Sequence, residues 1–356
     1  MIAFVVSFVS PHTLPLGKEL VKYDDVVFIN TIPLTEERRR MGYDVCDEKI
    51  VIYNYADNTE KCQEIIDNAD CVIYASAFGF DVLNERINKN KLTLVMHERI
   101  FKKGIVKWLD PRTYELISFC RRVRNKDVHF LSIGKNAAKD FALLGFNKSK
   151  ILEFGYFPEL LSLENAKKEK GNVCNILWVG RMVDFKRPVL AIRAAKELPK
   201  SFHLTMIGDG KLFSKAKDYA ARNNIDVTFM GNVQRKEVIA KMCEADILLS
   251  TSDKGEGWGV VINEGMNCGC AIVCSDEIGC MGSLATAENA VPFKSRSLSS
   301  LTKAIVYADT ESEKLSEAAI NTIKNEFNPS VAADRLHRFV NSGTVFESGV
   351  CSRVYK

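Results

Sequence analysis

The feature that most constrains the fold is a rhythm. From the first residues onward, apolar runs of strand length alternate with longer amphipathic stretches, the pattern of parallel sheets covered by helices. Strands are predicted at Ile2–Val9, Asp25–Asn30, Lys49–Tyr53, Cys71–Ala75, Leu92–Met96, Val128–Ser132 and Ile151–Phe154, with helices over Asn58–Asn68, Arg112–Arg124 and Lys135–Leu144. The rhythm breaks at Pro158–Asn172 (PELLSLENAKKEKGN), where polar and charged residues take over. It then resumes with strands at Asn175–Val179, His203–Ile207, Val227–Met230, Ile247–Ser250, Ala271–Cys274 and Ala290–Phe293, and helices at Pro188–Leu198, Lys211–Asn223, Arg235–Cys243 and Trp258–Asn267. Glu311–Phe327 reads as two helices or one broken one, Pro329–Val340 as another, and the closing VFESGVCSRVYK carries no clear signal.

A chain of 356 residues exceeds one typical core. The expectation is an α/β protein of two Rossmann-like domains, at 1–160 and 171–320, facing a cleft, with the Pro158–Asn172 stretch as linker. Ligands in such sheets sit beyond the carboxyl ends of the strands, so the loops that follow strands carry the function. Bulk properties narrow the partners. A net charge of +4 is too weak to argue for nucleic acid. Eleven cysteines without a regular framework imply free thiols in a reducing, cytoplasmic compartment. The start MIAFVVSFVS lacks the basic region of a secretory leader, and no apolar run approaches the roughly 20 residues needed to span a bilayer. A membrane role would therefore be peripheral, and three cationic clusters suit it: Arg38, Arg39 and Arg40; Arg99, Lys102 and Lys103 with Phe101 nearby; Arg121, Arg122, Arg124 and Lys126. A solvated face is the plain reading of these clusters; the alternative is docking at the inner face of an anionic membrane, which would draw on about 1 kcal/mol per cation.

Four strand-end loops in the second half hold unusual chemistry. In ILWVGRMVDFKRP a strand runs into Gly180 and Arg181, with Lys186 five residues on, a cation pair that can grip a diphosphate. In MIGDGKL, Gly208 and Gly210 either make the turn, with Asp209 as a local cap, or admit a ligand. In FMGNV, Gly231 ends a strand where backbone can pair with a nucleobase edge, with Val233 beside it. The richest is SDKGEGWGVVINEGMNCG, Ser252–Gly269: Glu256 lies among Gly255, Gly257 and Gly259, and Glu264 follows in a helical segment. Three glycines there are expected to serve close approach to a ligand rather than packing, with the helix start behind them suited to a phosphate.

In this order, VGR...K, IGDG, FMGNV, ADILLSTS and EGWGVVINEGMNCGCAIVCS, the motifs resemble the nucleotide-sugar half of GT-B glycosyltransferases of family 4, retaining enzymes with an E-x7-E motif. The likeness runs from about Asn175 to Ala319; the first half resembles the family in its strand rhythm and in SIGKNAAKDFALLGFNKSKILEFGYFPE. The resemblance implies an N-terminal acceptor domain, a C-terminal donor domain, and at 321–356 a helix returning to the first domain plus a tail. It implies that Arg181 and Lys186 hold the donor diphosphate near Gly180 and that Glu264 binds the ribose. Glu256 would lie against the donor sugar, with backbone N–H groups of Gly257, Trp258, Gly259 and Val260 around sugar and phosphate, and Gly231 and Val233 near the base. His97, closing LTLVMH, matches a histidine near the reacting sugar. The implied activity is transfer from a nucleotide-diphosphate sugar, UDP- rather than GDP-linked, to a glycan or lipid-linked acceptor in surface polysaccharide or glycoconjugate synthesis, with no cofactor. No Asp-x-Asp pair occurs for a metal–diphosphate bridge, which implies metal-independent chemistry. Cys268, Cys270 and Cys274 straddle a helix end and a strand, where small apolar residues are expected, rather than forming a metal site. The first loop departs from the family's paired glycines, reading SPHTLPLGKEL with Gly17 alone, and Gly265 stands where Ala is usual. Same-fold epimerases or phosphorylases, or a non-catalytic nucleotide-sugar binder, are the other classes this pattern allows.

Overall fold

The computed structural model describes residues 1–40, 42–77, 79–102, 104–161 and 171–355, the side chains of 37, 40 and 105 excepted. The chain forms two compact units, Met1–Glu159 with Glu326–Lys356, and Leu160–Asn325. Most of the expected linker lies outside the described residues, as do Lys103 and the Arg40 side chain from the cationic clusters.

In the first unit seven strands, β1 (Ile2–Val6), β2 (Val26–Asn30), β3 (Val51–Asn54), β4 (Cys71–Ala75), β5 (Thr93–His97), β6 (Val128–Ile133) and β7 (Ile151–Phe154), form one parallel sheet in the order β3-β2-β1-β4-β5-β6-β7. The helices are α1 (Leu14–Leu20), α2 (Glu36–Arg40), α3 (Thr59–Asn68), α4 (Asn84–Asn88), α5 (Pro111–Arg122) and α6 (Lys135–Leu143). Every residue of β1 is buried, which is why it reads as a continuous apolar run: a parallel sheet is covered on both faces. It stops at Val6, short of the expected Val9. The first loop, SPHTLPLGKEL, contains α1, whose Gly17 lets the helix lie against the Phe28 ring: a Cβ there would stand 2.6 Å from the ring.

The second unit repeats the plan. Its strands β8 (Cys174–Val179), β9 (Phe202–Ile207), β10 (Val227–Gly231), β11 (Ile247–Ser250), β12 (Ala271–Ser275) and β13 (Ala290–Phe293) form a parallel sheet in the order β10-β9-β8-β11-β12-β13. The helices are α7 (Pro188–Glu197), α8 (Phe213–Arg222), α9 (Arg235–Glu244), α10 (Val260–Asn267), α11 (Leu298–Thr310) and α12 (Ser312–Asn325). The chain re-enters the first unit at Glu326, later than the expected 321. There α13 (Pro329–Ser342) starts with proline in its first turn and Asn328 as cap, its Oδ1 accepting from the Val331 N–H at 2.9 Å, and it ends on Gly343 in a left-handed conformation. It packs on α1.

The tail is also structured. The Glu153 N–H donates to Ser352 O at 2.8 Å and the Cys351 N–H to Glu153 O at 2.8 Å, with an antiparallel bridge between Leu152 and Arg353. The last residues thereby cover the edge strand β7, whose backbone groups would otherwise be unpaired. Arg86 is fully buried. Its guanidinium donates to Thr93 Oγ1 (3.0 Å) and to the carbonyls of Ile66, Ala69, Asp70 and Leu92 (2.5–3.1 Å). All five of its donors are used, which is what makes a buried arginine tolerable.

Candidate functional site

In a doubly wound sheet the crevice for ligands opens where strand order reverses. In the second unit that point lies between β8 and β11, which are neighbours although seventy residues apart. The loops following them are stapled together. Thr251 Oγ1 donates to the Lys186 carbonyl at 2.7 Å while accepting from the buried Trp178 indole N–H at 2.9 Å, and the Asp253 N–H donates to Phe185 O at 2.8 Å. Topology thus brings together residues that sequence spacing keeps apart: Lys186 forms an ion pair with Glu256 Oε2, both side chains 15% exposed. Ser252 Oγ donates to the same carboxylate oxygen at 3.2 Å. Arg181 is exposed, and among the described residues it forms no ion pair.

Most of the glycines in these loops serve packing, contrary to expectation. A Cβ on Gly255 would stand 2.6 Å from Phe185 Cβ, and one on Gly259 2.6 Å from Ile278 Cδ1. Gly259 also takes the left-handed conformation (φ 95°) that caps α10. One on Gly208 would stand 2.1 Å from Gly180 O, and one on Gly210 2.8 Å from Met182 O. The MIGDG turn is therefore the bed on which the Gly180–Met182 backbone lies, fixed by the Met182 N–H to Asp209 O bond of 2.8 Å. Asp209 caps locally, its Oδ1 accepting from the Gly210 N–H at 2.6 Å. Gly231 has open space at the missing Cβ, and its carbonyl is taken by the Gly208 N–H at 2.7 Å. Val233 beyond it is half-buried.

Helix α10 begins at Val260 rather than at the expected Trp258. Trp258 is 1% exposed; its indole N–H donates to Asn263 Oδ1 at 2.8 Å and its carbonyl accepts from the Cys280 N–H at 3.0 Å, so the residue anchors the loop. Glu264 projects from the second turn of α10 and pairs with Arg235 at 3.0 Å, a cation at the start of α9 that sequence reasoning passed over. Burial pushes the Glu264 carboxyl above its ordinary range, with Arg235 opposing the shift. Lys186 with Glu256, and the exposed Arg235 with the partly buried Glu264, are two ion pairs at one sheet end, near the N-terminus of α10, where backbone dipoles favour an anion. The cysteines are structural: the Cys270 Sγ donates to Met242 O at 3.1 Å, and burial pushes the Cys274 thiol up to about 12.

His97 lies in the first unit, at the end of β5. Its Nδ1 lies 2.6 Å from Glu98 O, and with Ser7, Ala77 and Arg99 it lines a cavity of about 510 Å³. Glu98 is held there by Lys102 (2.5 Å) and the Tyr156 hydroxyl (3.1 Å). Of the cationic clusters, Arg38 stacks over Phe8 and Tyr43, Arg39 pairs with Glu36 at 2.6 Å and Arg122 donates to Asn84 at 2.5 Å, whereas Arg121 and Arg124 are exposed. Phe101, near its cluster in sequence, is buried against Trp108.

The two parallel sheets and the loops at their strand ends have the architecture of a GT-B protein. The model of the glycosyl transferases group 1 family matches residues 162–326, the second unit almost in full. An uncharacterized glycosyltransferase of Methanocaldococcus jannaschii, MJ1069, is 26% identical over 265 residues, covering 70% of this chain and 68% of the relative. Among solved structures, Anabaena HepE in complex with UDP superposes with a TM-score of 0.73 at 14% identity, over 96% of this chain and 99% of that one. WaaG, a glycosyltransferase involved in lipopolysaccharide biosynthesis, gives 0.67 at 15% identity, over 96% and 100%. The GT-B fold expected from the sequence is the fold the chain has.

Proposed function

We propose that the protein is a retaining, metal-independent glycosyltransferase of the family 4, E-x7-E type, moving a sugar from a nucleotide-diphosphate donor to a glycan or lipid-linked acceptor in surface polysaccharide or glycoconjugate synthesis. The observation that carries this reading is the meeting of Lys186 and Glu256 where β8 and β11 adjoin, with Glu264 on the helix that follows. UDP is favoured over GDP because HepE was solved with UDP.

When the sugar–phosphate bond breaks, negative charge develops on the departing diphosphate. Lys186, Arg181 and the α10 N-terminus stabilise that charge, which is where preorganised electrostatics lower a barrier. Glu264 holds the ribose hydroxyls and Glu256 lies against the sugar. The acceptor hydroxyl attacks from the face the phosphate leaves, and the departing phosphate oxygen takes its proton, so no protein nucleophile is assigned. His97 belongs to the acceptor side. The test is a scan of nucleotide sugars for hydrolysis and transfer. Turnover of a UDP-sugar that persists in chelator and keeps the anomeric configuration is expected; inversion, or loss of activity with chelator, would overturn the corresponding part.

A peripheral membrane contact accompanies the lipid-linked acceptor. No helix among the described residues is long and apolar enough to cross a membrane, but Leu109 is 82% exposed beside Arg112, with Val106 and Tyr114 also exposed. Flotation with anionic liposomes at low salt is expected; its absence would remove the membrane from the proposal.

A further inference from the structure

We infer that Arg187 and Asp253 are positioning residues whose ion pair keeps the Lys186 loop and the Glu256 loop in register while the donor is handled. This rests on the reading of Lys186 and Glu256 as donor-site residues. Lys186 ends a single turn of 3-10 helix, Asp184–Lys186, and no regular element fixes it. The residue after it, Arg187, has φ 51° and ψ 52°, a left-handed conformation that glycine adopts freely and arginine only at a cost. The chain nevertheless has a long side chain there, and that side chain has a task. Its Nε and Nη2 donate to Asp253 Oδ2 at 3.1 and 2.6 Å.

Asp253 is a buried hub. Its Oδ1 accepts from the Gly255 N–H at 2.9 Å, its carbonyl accepts from the Glu256 N–H at 2.9 Å, and Arg296 from the loop after β13 stands 3.7 Å from Oδ2. One carboxylate thus ties three strand-end loops. The same two loops are cross-linked twice, by Lys186–Glu256 and by Arg187–Asp253. The two links have different tasks. Lys186 must turn from Glu256 toward an arriving diphosphate, so the first link opens; the second involves no group assigned to the donor and stays closed. It holds the loops while the first rearranges, preserving the geometry on which transition-state stabilisation depends.

The experiment compares wild type with Arg187→Gly, Arg187→Lys and Asp253→Asn. Hydrogen exchange over residues 183–187 and 253–257 should quicken about tenfold in Arg187→Gly and Asp253→Asn, and less in Arg187→Lys. With the nucleotide sugar that the scan identifies, kcat should fall roughly tenfold or more in the first two, with KM within about threefold, and Arg187→Lys should recover part of it. The melting temperature of Arg187→Gly should hold or rise, since glycine relieves the left-handed backbone, which separates positioning from a folding defect. Unchanged exchange in both variants overturns the clamp whatever the kinetics. Quicker exchange with wild-type kcat overturns its role in catalysis, and so does a rise in KM alone. A wild type that turns over no nucleotide sugar sinks the proposed function and the positioning role with it, while the exchange data still decide whether the clamp exists.

Discussion

The two units share a sheet plan and differ in what stands at the point where strand order reverses. In the second, between β8 and β11, three strand-end loops are tied by Asp253, by Thr251 and by backbone bonds, and Lys186 pairs with Glu256. In the first, between β1 and β4, the contacts are hydroxyl and amide links, Thr31 Oγ1 to Ser76 Oγ at 2.5 Å and the Ala77 N–H to Ser7 Oγ at 3.1 Å, beside an open cavity. Its charged anchor, Arg86, lies in the core and binds carbonyls. The same topology thus carries cross-linked loops at the switch point of one unit and loops bordering a cavity, with the Glu98–Lys102 pair in its lining, in the other.

The comparison can be broken most forcefully at Lys186 and Glu264. Lys186→Ala and Glu264→Ala should each reduce kcat/KM for the nucleotide sugar by on the order of 100-fold or more; unchanged kinetics in both would discard the site. Gly208→Ala comes next. Its Cβ would meet Gly180 O at 2.1 Å in a φ 124° backbone, which should cost on the order of 3 kcal/mol in chemical denaturation and disturb the Arg181 loop together with the fold. Arg86→Ala should destabilise by about 3 kcal/mol, because it strands buried carbonyls and leaves a cavity. If both units melted independently, that loss should appear in the first unit's transition alone.

The smallest effect is a pH dependence. Because burial raises the folded-state pKa of Glu264, the folded form binds its proton more tightly than the unfolded chain, and the wild type loses stability as pH rises from the unfolded value through the raised folded one. Glu264→Gln does not titrate, so its stability relative to wild type should grow across that interval above the ordinary glutamate range and level off beyond it. Denaturation midpoints for the two proteins at several pH values check this; a constant difference would mean that Arg235 cancels the burial.

Strands and their order along the chain were legible because they rest on local periodicity. What escaped rests on contacts between distant segments. Pro15 and Gly17 disguised α1, whose helix is stabilised by Phe28 and by α13 rather than by propensity. The tail has no strand pattern of its own and is ordered by the edge of β7. Arg187 and Asp253 lie sixty-six residues apart, and nothing in KRP or SDK announces their pairing. The loop glycines were given to the ligand because packing against Phe185 and Ile278 cannot be seen without the fold.

The central claim is that the second unit holds a nucleoside diphosphate through Lys186. Titration calorimetry of UDP, with uridine as control, into wild type and Lys186→Ala tests it directly. Binding of UDP by the wild type, none of uridine at the same concentrations, and a roughly tenfold or greater loss in Lys186→Ala is the predicted result. Equal UDP affinity in the two proteins, or no binding to the wild type by UDP or GDP, would contradict it.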